Sequence, residues 1–364
     1  MTVESTPYPE KFTSRKDKLP DGEEMGDWIP HYLTFVVKGI RSPNVTQKTQ
    51  LHLQRFQQFF QNTYGHDRLA TCVKRDVLAW RQSLRQQGLA VSTVNNHLAS
   101  LSAFTTWVQT HKPTLFPVGD PAKGIGELIL PPLEPRALSD AQVRSLKSIC
   151  DRLYRFHQRK GRAWNNIVEI PSHEHSRSLR DRAIVFVLLS TGLRREELIM
   201  LNLEQVDPQE PDRLRGARRA RITKVAGKRK SERTVFLSAD ARLALADYLE
   251  QERPRDVSSQ EQALFLSASS LSSRRSDGRL SPRAINLILE QIGRWHDADV
   301  TDPERKISPL RPHDLRHTFA FQLATVTGAD AYELERRLGH RSQRYIQRYT
   351  NPPEAIAAQH IEKF

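Results

Sequence analysis

STGLRREEL, residues 190–198, is the stretch that decides the interpretation of this sequence, together with three short segments that follow it. These segments are HDLRHTF at 313–319, LGH at 338–340 and RYT at 348–350. Each segment alone is weak evidence, because short patterns of this kind occur by chance in many helices and chain ends. His313 and Arg316 are three residues apart, which places them on one face of a helix. The ordered set of candidate residues is Arg194, Lys228, His313, Arg316, His340 and Tyr349.

The order and spacing of this set resemble the tyrosine recombinase (phage integrase) family. TGLR followed by Glu197 is similar to the first box of the family, and the stretch 227–237, GKRKSERTVFL, is similar to its β-hairpin lysine segment. HDLRHTFA and LGHRSQRYIQRYT are similar to its second box. The resemblance covers about 138–364 and extends more weakly to the region before it. It implies a nucleophile at Tyr349, an orienting carboxylate at Glu197, and assisting residues at Arg194, Lys228, His313, Arg316 and His340.

These residue types suit attack on a DNA phosphate. The reaction builds negative charge on two phosphate oxygens, which two planar arginine forks can clamp and stabilise. A tyrosine with a pKa of about 10 is a poor nucleophile at neutral pH, so a base must take its proton, and His313 is the candidate. The departing 5′ oxygen needs a proton, which Lys228 on a hairpin can supply. His340 can hydrogen-bond a phosphate oxygen.

The predicted chemistry requires no metal ion and no cofactor. A phosphotyrosyl bond retains the energy of the broken phosphodiester, so rejoining the strand needs no ATP. The sequence agrees, because it contains no carboxylate cluster suited to two-metal phosphoryl transfer and no P-loop pattern. The two cysteines, Cys72 and Cys150, form no CxxC pair and no zinc-ligand pattern, which fits a reducing intracellular compartment.

Three of the site assignments have a neighbouring residue that competes for the same role. The competitors are Tyr345 for Tyr349, Lys224 or Lys230 for Lys228, and Arg195 for Arg194. Tyr349 is favoured because it lies nine residues after His340, as the family pattern has it. The Gly227–Lys228 pair and the TGLR match decide the other two choices.

The sequence predicts a mainly α fold with a small β-sheet or hairpin, divided into two domains. The predicted regions are a flexible arm at 1–25, a helical core-binding (SAM-like) domain at 26–111, a proline-rich linker at 112–137, and a mixed α/β catalytic domain at 138–364 with a tail at 351–364. By resemblance, the two domains close around DNA as a C-shaped clamp. The polar stretch 157–178 departs from the family pattern and is interpreted as a loop insertion.

Local patterns predict the individual elements. Four apolar stripes at helical spacing lie between Trp28 and Val108, and Ser92, Ser139 and Ser281 are the predicted helix caps. The stripes are Trp28, Tyr32, Phe35 and Val36; Leu51, Phe56, Phe59 and Tyr64; Val77, Trp80 and Leu84; and Val94, Leu98, Leu101, Phe104 and Val108. Polar residues on the opposite faces, such as Lys48, Thr49, Arg55, Thr93, Asn95 and Asn96, suit either DNA contacts or plain solvated surface. In the second domain, helices are predicted at 139–156, 181–202, 239–251, 282–296, 313–326 and 329–338, and strands at 221–225 and 234–237.

The charge balance favours an anionic partner. The formal net charge is +14, and basic side chains crowd the predicted hairpin between Arg213 and Arg233. Nucleic acid is the first candidate, because its binding is driven by release of counterions from phosphates. The N-terminus lacks an apolar signal core and no run is long enough to span a membrane. The prediction is a cytoplasmic, bacterial, nucleoid-associated protein with no membrane partner.

The leading interpretation is a site-specific recombinase that serves a phage, a transposon or another mobile element. The family resemblance implies a homotetramer on two double-stranded DNA sites, with the tail at 351–364 exchanged between protomers, and leaves room for accessory DNA-bending or directionality proteins. One alternative is a type IB topoisomerase-like enzyme that relaxes DNA. The other is a DNA-binding regulator without catalysis, which is disfavoured because all six catalytic positions are filled.

Overall fold

A computed structural model describes residues 19–130, 136–158, 176–227, 232–258 and 261–339, apart from the side chains of 156–158. The chain divides into two compact units, Met1–Leu133 and Glu134–Phe364. The described part is mostly helical with one small sheet, which confirms the predicted fold class. No helix in the described ranges is long and apolar enough to cross a membrane.

The first unit is a helical domain built around large aromatic side chains. Its elements are α1 Met25–Tyr32, a π-helical turn Leu33–Val37, α2 Pro43–Tyr64, a 3-10 turn Leu69–Thr71, α3 Lys74–Gln86, α4 Val91–His111 and a second 3-10 turn Pro113–Leu115. Trp28, Phe56, Trp80 and Phe104 are almost completely buried in its core. Burial of such large apolar surfaces is the main force that holds short helices together.

Some sequence predictions for this unit were wrong in detail. The third and fourth apolar stripes are buried throughout, but Phe35, Leu51 and Tyr64 remain exposed. The side chain of Asn95, predicted on an outer face, is buried because its amide donates to and accepts from the backbone of Leu128. Ser92 is not a cap, because α4 begins one residue before it, at Val91.

The proline-rich segment 112–137 was predicted to be a linker, but its first half is packed. Leu115 and Phe116 belong to the core of the first unit, and Ile125 and Leu128 pack against that core. The prolines do prevent an α-helix here, yet the apolar residues between them still bury surface against α3 and α4. The end of the segment, 131–135, lies outside the described residues.

The second unit surrounds one central helix. Its elements are α5 Asp140–Cys150, α6 Leu153–Gln158, α7 Ser178–Thr191, α8 Arg195–Met200, β1 Val206–Asp207, α9 Pro211–Gly216, β2 Ala220–Ala226, β3 Glu232–Leu237, α10 Ala239–Gln251, α11 Arg253–Asp256, α12 Pro282–Ala298, α13 Pro312–Thr327 and α14 Ala331–Leu338, with 3-10 turns Leu203–Gln205 and Pro303–Arg305. Every residue from Ala183 to Leu189 in α7 is buried. A helix that is apolar on all sides belongs in the middle of a domain, and α7 packs against α5, α10, α13 and β3.

The sheet is antiparallel, with the strand order β1-β2-β3. Ile222 pairs with Val235 and Val225 pairs with Arg233, with an irregularity in β2 between these two pairs. Lys224 lies in this irregularity with a positive φ of 50°. The two predicted strands are therefore present; β2 extends one residue beyond each predicted end, and β3 begins two residues before its predicted start and ends where predicted.

Three helix predictions for this unit can now be compared with the structure. Ser139 and Ser281 cap α5 and α12, each accepting a backbone N–H, as predicted. The predicted helix at 139–156 is two helices, α5 and α6, and α6 and α7 include the ends of the predicted insertion at 157–178. The predicted helix at 181–202 is also wrong, because Gly192 adopts a left-handed φ of 59° and ends α7 there.

Candidate active site

The break between α7 and α8 positions the first candidate arginine. A Cβ atom on Gly192 would lie 2.3 Å from Cδ1 of Phe319 on α13, so only glycine allows the two helices to approach this closely. Arg194 follows at the N-terminus of α8, where its backbone N–H donates to Oε2 of Glu197 at 2.8 Å. The turn therefore points Arg194 and Glu197 toward one another.

Glu197 is the electrostatic centre of the site. Its Oε1 accepts from Nη1 of Arg194 at 2.7 Å and from Nη1 of Arg233 at 3.0 Å. Its Oε2 accepts a second bond from Arg233, at 2.7 Å. Burial opposes the charge on this carboxyl, but the hydrogen bonds and charge of Arg233, with those of Arg194, outweigh burial and lower the pKa of Glu197 to about 2. Glu197 is therefore ionised at neutral pH and holds two arginines.

Arg316 enters the site from α13. Its side chain is buried, and it donates from Nη1 to the carbonyl of Gly192 at 2.5 Å and from Nη2 to the carbonyl of Leu338 at 2.7 Å. It therefore links the α7–α8 turn, which carries Arg194, to the end of α14. The predicted phosphate-clamping pair thus comes together from two helices that are distant in sequence.

His313 lies one turn before Arg316 on α13 and remains exposed to solvent. Partial desolvation of its ring, with the positive charge of Arg316, lowers the pKa of His313 below its ordinary value of 6.5. The neutral imidazole therefore predominates at neutral pH. A neutral imidazole can accept a proton, as the predicted role of His313 requires.

The C-terminal end of α14 is the place where the arginines meet. The last carbonyls of a helix have no partner within the helix and carry partial negative charge, so they attract cations. Arg233 donates to the carbonyl of Arg337 at 3.0 Å, and Arg194 to that of Gly339 at 3.4 Å. With the bond from Arg316 to Leu338, three consecutive carbonyls each accept from a different arginine. His340 is the next residue in the chain.

Several predicted site residues lie outside the described residues: Lys228, Lys230, His340, Tyr345 and Tyr349. The described chain stops at Gly227 and resumes at Glu232 in the hairpin, and it ends at Gly339 beside the three arginines. Of the predicted set, the structure brings together Arg194, Glu197 and Arg316, and it places His313 one turn before Arg316 on α13.

Two competing assignments fall within the described residues. Arg195 donates to Glu196 and to Asn286 on α12, whereas Arg194 donates to Glu197. Lys224 is exposed in the irregular part of β2, and its carbonyl accepts from the side chain of Gln205.

Sequence reasoning missed Arg233. It is the last residue of the basic run in the hairpin segment, and nothing in that run separates it from its neighbours. The predicted strand began at residue 234, one residue after Arg233. In the structure β3 begins at Glu232, so Arg233 lies two residues before the buried Val235 and on the same face of the sheet. The sequence predicted Glu197 as the partner of the first arginine, but only the fold shows that Glu197 also binds Arg233.

Comparison with known proteins places the chain in a family. The sequence model of the phage integrase family matches residues 162–355, which is more than half of the chain. Tyrosine recombinase XerC of Pelotomaculum thermopropionicum is 28% identical over 331 residues, covering 89% of this chain and 92% of that protein. XerC of Thermodesulfovibrio yellowstonii is 32% identical over 185 residues, covering 51% of this chain and 54% of that protein.

Solved structures share the fold. The Tn1549 transposon integrase in complex with transposon right end DNA aligns with a TM-score of 0.66 and 15% identity, over 93% of this chain and 99% of that one. The XerH site-specific recombinase bound to difH substrate aligns with a TM-score of 0.63 and 14% identity, over 94% of this chain and 98% of that one. The chain belongs to the phage integrase family of tyrosine-type site-specific recombinases.

Proposed function

We propose that this recombinase cleaves and rejoins DNA through a 3′-phosphotyrosyl bond on Tyr349 and a Holliday junction, without metal or ATP. The observation that carries the proposal is the meeting of Arg194 and Arg316. They donate to the adjacent carbonyls of Gly339 and Leu338, so two guanidinium groups from different helices converge on one short segment. Fixed donors of this kind stabilise the negative charge that develops on a phosphate under attack.

Each residue then has a defined step. His313 takes the phenolic proton as the Tyr349 oxygen forms its bond to phosphorus. The bond from phosphorus to the 5′ oxygen breaks, and Lys228 gives that oxygen a proton, which leaves a 5′-hydroxyl. Arg194, Arg316 and His340 hold the non-bridging oxygens, and Glu197 keeps Arg194 in place. Rejoining is the reverse reaction with a 5′-hydroxyl of the partner strand as the nucleophile.

The rest of the chain serves the DNA substrate. We assign 26–111 to core binding of DNA, 112–137 to the connection, and 138–364 to catalysis. The net charge of +14 supports contact with double-stranded DNA along both parts. The proposed biological setting is the bacterial cytoplasm and nucleoid, where the enzyme moves a mobile element.

The proposed assembly is a homotetramer on two DNA sites. Its protomers are linked by exchange of the tail at 351–364, in which Ala355, Ile356, Ala358 and Ile361 suit an amphipathic helix. Accessory DNA-bending or directionality proteins then determine which reaction direction prevails. Deletion of 354–364 is expected to abolish the tetramer and recombination, and unchanged assembly by light scattering would remove the tail from this role.

The test of the catalytic proposal is a trapped cleavage reaction. Wild type, Tyr349→Phe and the matched control Tyr345→Phe are each incubated with DNA from the ends of the parent element, nicked close to the cleavage site. After denaturation, a covalent protein–DNA adduct is expected for wild type and Tyr345→Phe, and none for Tyr349→Phe. An adduct that persists in Tyr349→Phe would move the nucleophile elsewhere. Binding with no adduct from any protein would favour a regulator that lacks catalysis.

A further inference from the structure

Arg233 occupies a central position in the site that the proposed chemistry does not explain. Its side chain is 10% exposed, and Glu197 beside it is 7% exposed. Both Nη atoms donate to the two oxygens of Glu197, at 3.0 and 2.7 Å, while Nε donates to the carbonyl of Arg337 at 3.0 Å. This is a bidentate arginine–carboxylate pair with a third bond in a different direction, a geometry that lysine cannot reproduce.

We propose that Arg233 is a positioning residue that holds β3, the strand that follows Lys228 in the chain, in register with Arg194 and with the end of α14. The proposal rests on the proposed function of Lys228 as general acid. All three nitrogens of the Arg233 guanidinium donate within the protein, to Glu197 and to the carbonyl of Arg337, which suits a positioning role.

The connectivity of the chain explains why this position matters. Arg233 lies in β3, five residues after Lys228, and its bonds reach α8 through Glu197 and α14 through Arg337. The guanidinium thus joins the strand that follows the predicted acid, the helix that starts at the first arginine, and the helix that precedes His340. A displacement of β3 would therefore move Lys228 relative to the phosphate clamp.

Two further contacts show that α14 is fitted to β3 at this point. A Cβ atom on Gly339 would lie 3.2 Å from Nη1 of Arg233, so the glycine, with a φ of 63°, leaves room for the guanidinium. The guanidinium of Arg337 lies 4.9 Å from the ring centroid of Phe236 on β3 and makes a cation–π contact. The end of α14 and β3 are thus joined twice, by the bond from Arg233 to the carbonyl of Arg337 and by the contact of the Arg337 guanidinium with Phe236.

The contacts also separate Arg233 from a residue that only stabilises the fold. Arg274 and Glu261 form a comparable pair in the same unit, with side chains 14% and 8% exposed and a distance of 2.6 Å. Arg274 also donates to a backbone carbonyl, that of Asp256. Arg274→Lys is therefore a matched control, because it weakens a buried ion pair that has no contact with Glu197, Arg233 or α14 among its bonds.

The experiment compares two leaving groups. Single-turnover cleavage is measured on a nicked DNA substrate with an ordinary phosphodiester and on one whose 5′-bridging oxygen is sulfur. A thiolate leaves without a proton, so the sulfur substrate bypasses the general acid. Arg233→Lys is expected to slow cleavage of the ordinary substrate by about 10–100-fold, within the range that general acid catalysis contributes. Most of this loss should disappear on the sulfur substrate, as it should for Lys228→Ala.

The controls make each result decisive. Arg274→Lys is expected to cleave both substrates at the wild-type rate, and Arg233→Lys should bind DNA with the wild-type affinity because it keeps the positive charge. If Arg233→Lys lowers the stability of the protein, both cleavage rates are expressed per folded molecule, with the folded fraction measured by circular dichroism under the assay conditions. An equal loss on both substrates, or no loss, would overturn the positioning role. A Lys228→Ala variant without sulfur rescue would overturn it too, and a wild type without a Tyr349-dependent adduct would instead refute the proposed function.

Discussion

Two buried ion-pair clusters in the second unit have different charge balances. The first cluster, near Asp256, contains three ion pairs, Arg177–Asp256, Arg180–Asp181 and Arg274–Glu261. It also contains Arg253, which donates to the carbonyl of Ala263, and Glu252, which accepts from the backbone N–H groups of Leu179 and Arg180, so positive and negative charges are equal in number. Around Glu197, Arg194 and Arg233 share one carboxylate, and Arg316 donates to the carbonyls beside them. The first cluster is balanced within the protein, whereas the second has an excess of positive charge.

The difference has a physical meaning. In a balanced cluster each charge is compensated by groups of the protein, so removal of one partner leaves a buried charge unpaired and should affect folding. A cluster with excess positive charge, held at the ends of α7 and α14, provides a place for an anion, so its removal should affect catalysis more than folding. The comparison therefore predicts that arginines from the two clusters give opposite results in stability and cleavage measurements.

The largest expected effect on stability comes from Arg177→Ala. Nε and Nη2 of Arg177 donate to both oxygens of Asp256 at 2.5 and 2.6 Å, and Asp256 is only 1% exposed. Loss of the guanidinium leaves a buried carboxylate without its principal partner, which should lower the free energy of unfolding by about 3–5 kcal/mol. Urea denaturation followed by circular dichroism measures this change. Cleavage per folded molecule should stay at the wild-type rate. A loss of cleavage without a loss of stability would contradict the conclusion that this cluster serves folding rather than catalysis.

Arg194→Ala should have the opposite effects, a large loss of cleavage rate and a small loss of stability. Removing one donor to a developing oxyanion commonly slows a reaction by about 10²–10³-fold, or about 3–4 kcal/mol of transition-state stabilisation. Arg233 still neutralises Glu197 in this variant, so unfolding should change less than in Arg177→Ala. Single-turnover cleavage of the nicked substrate and urea denaturation test both halves of the prediction. The prediction is wrong if the free energy of unfolding changes by more than the activation free energy of cleavage.

The smallest of the three expected effects is the pH dependence of the folding stability that Glu197 contributes. Its pKa is lowered from 4.5 to about 2. A carboxyl with a lowered pKa in the folded state contributes stability above its unfolded pKa, and this contribution is lost as the pH falls toward the folded pKa. The shift corresponds to about 3 kcal/mol, lost between about pH 4.5 and about pH 2.

The Glu197→Gln variant isolates this contribution. The difference in the free energy of unfolding between wild type and Glu197→Gln should shrink as the pH is lowered through this window. Urea denaturation at several pH values gives the difference directly. A difference that stays constant with pH would mean that the two arginines do not hold Glu197 ionised in the folded protein.

Local features of the fold could be predicted from the sequence because their causes are local. Ser139 and Ser281 satisfy backbone donors a few residues away, and the buried stripes of α3 and α4 repeat at helical spacing. The prediction failed where packing against a distant element decided the result. The second stripe is an example, because α2 buries Leu53 and Phe60 and leaves Leu51 exposed.

The candidate site likewise has some features with local causes and others that depend on packing between distant elements. The spacing of His313 and Arg316 within one helix, and the TGLR sequence before Glu197, are properties of neighbouring residues, so the chemistry and the family could be predicted from the sequence. The close approach of Phe319 to Gly192, by contrast, depends on packing between α7 and α13, which are distant in sequence.

The sequence by itself determined the class of chemistry and the mainly helical fold, and it predicted the candidate site residues. Only the tertiary structure decided how the cations share one carboxylate. Arg233 is 36 residues from Glu197 and 104 residues from the carbonyl of Arg337. Contacts over such separations form only when hydrophobic burial around α7 brings α8, β3 and α14 together, and no local pattern encodes that arrangement.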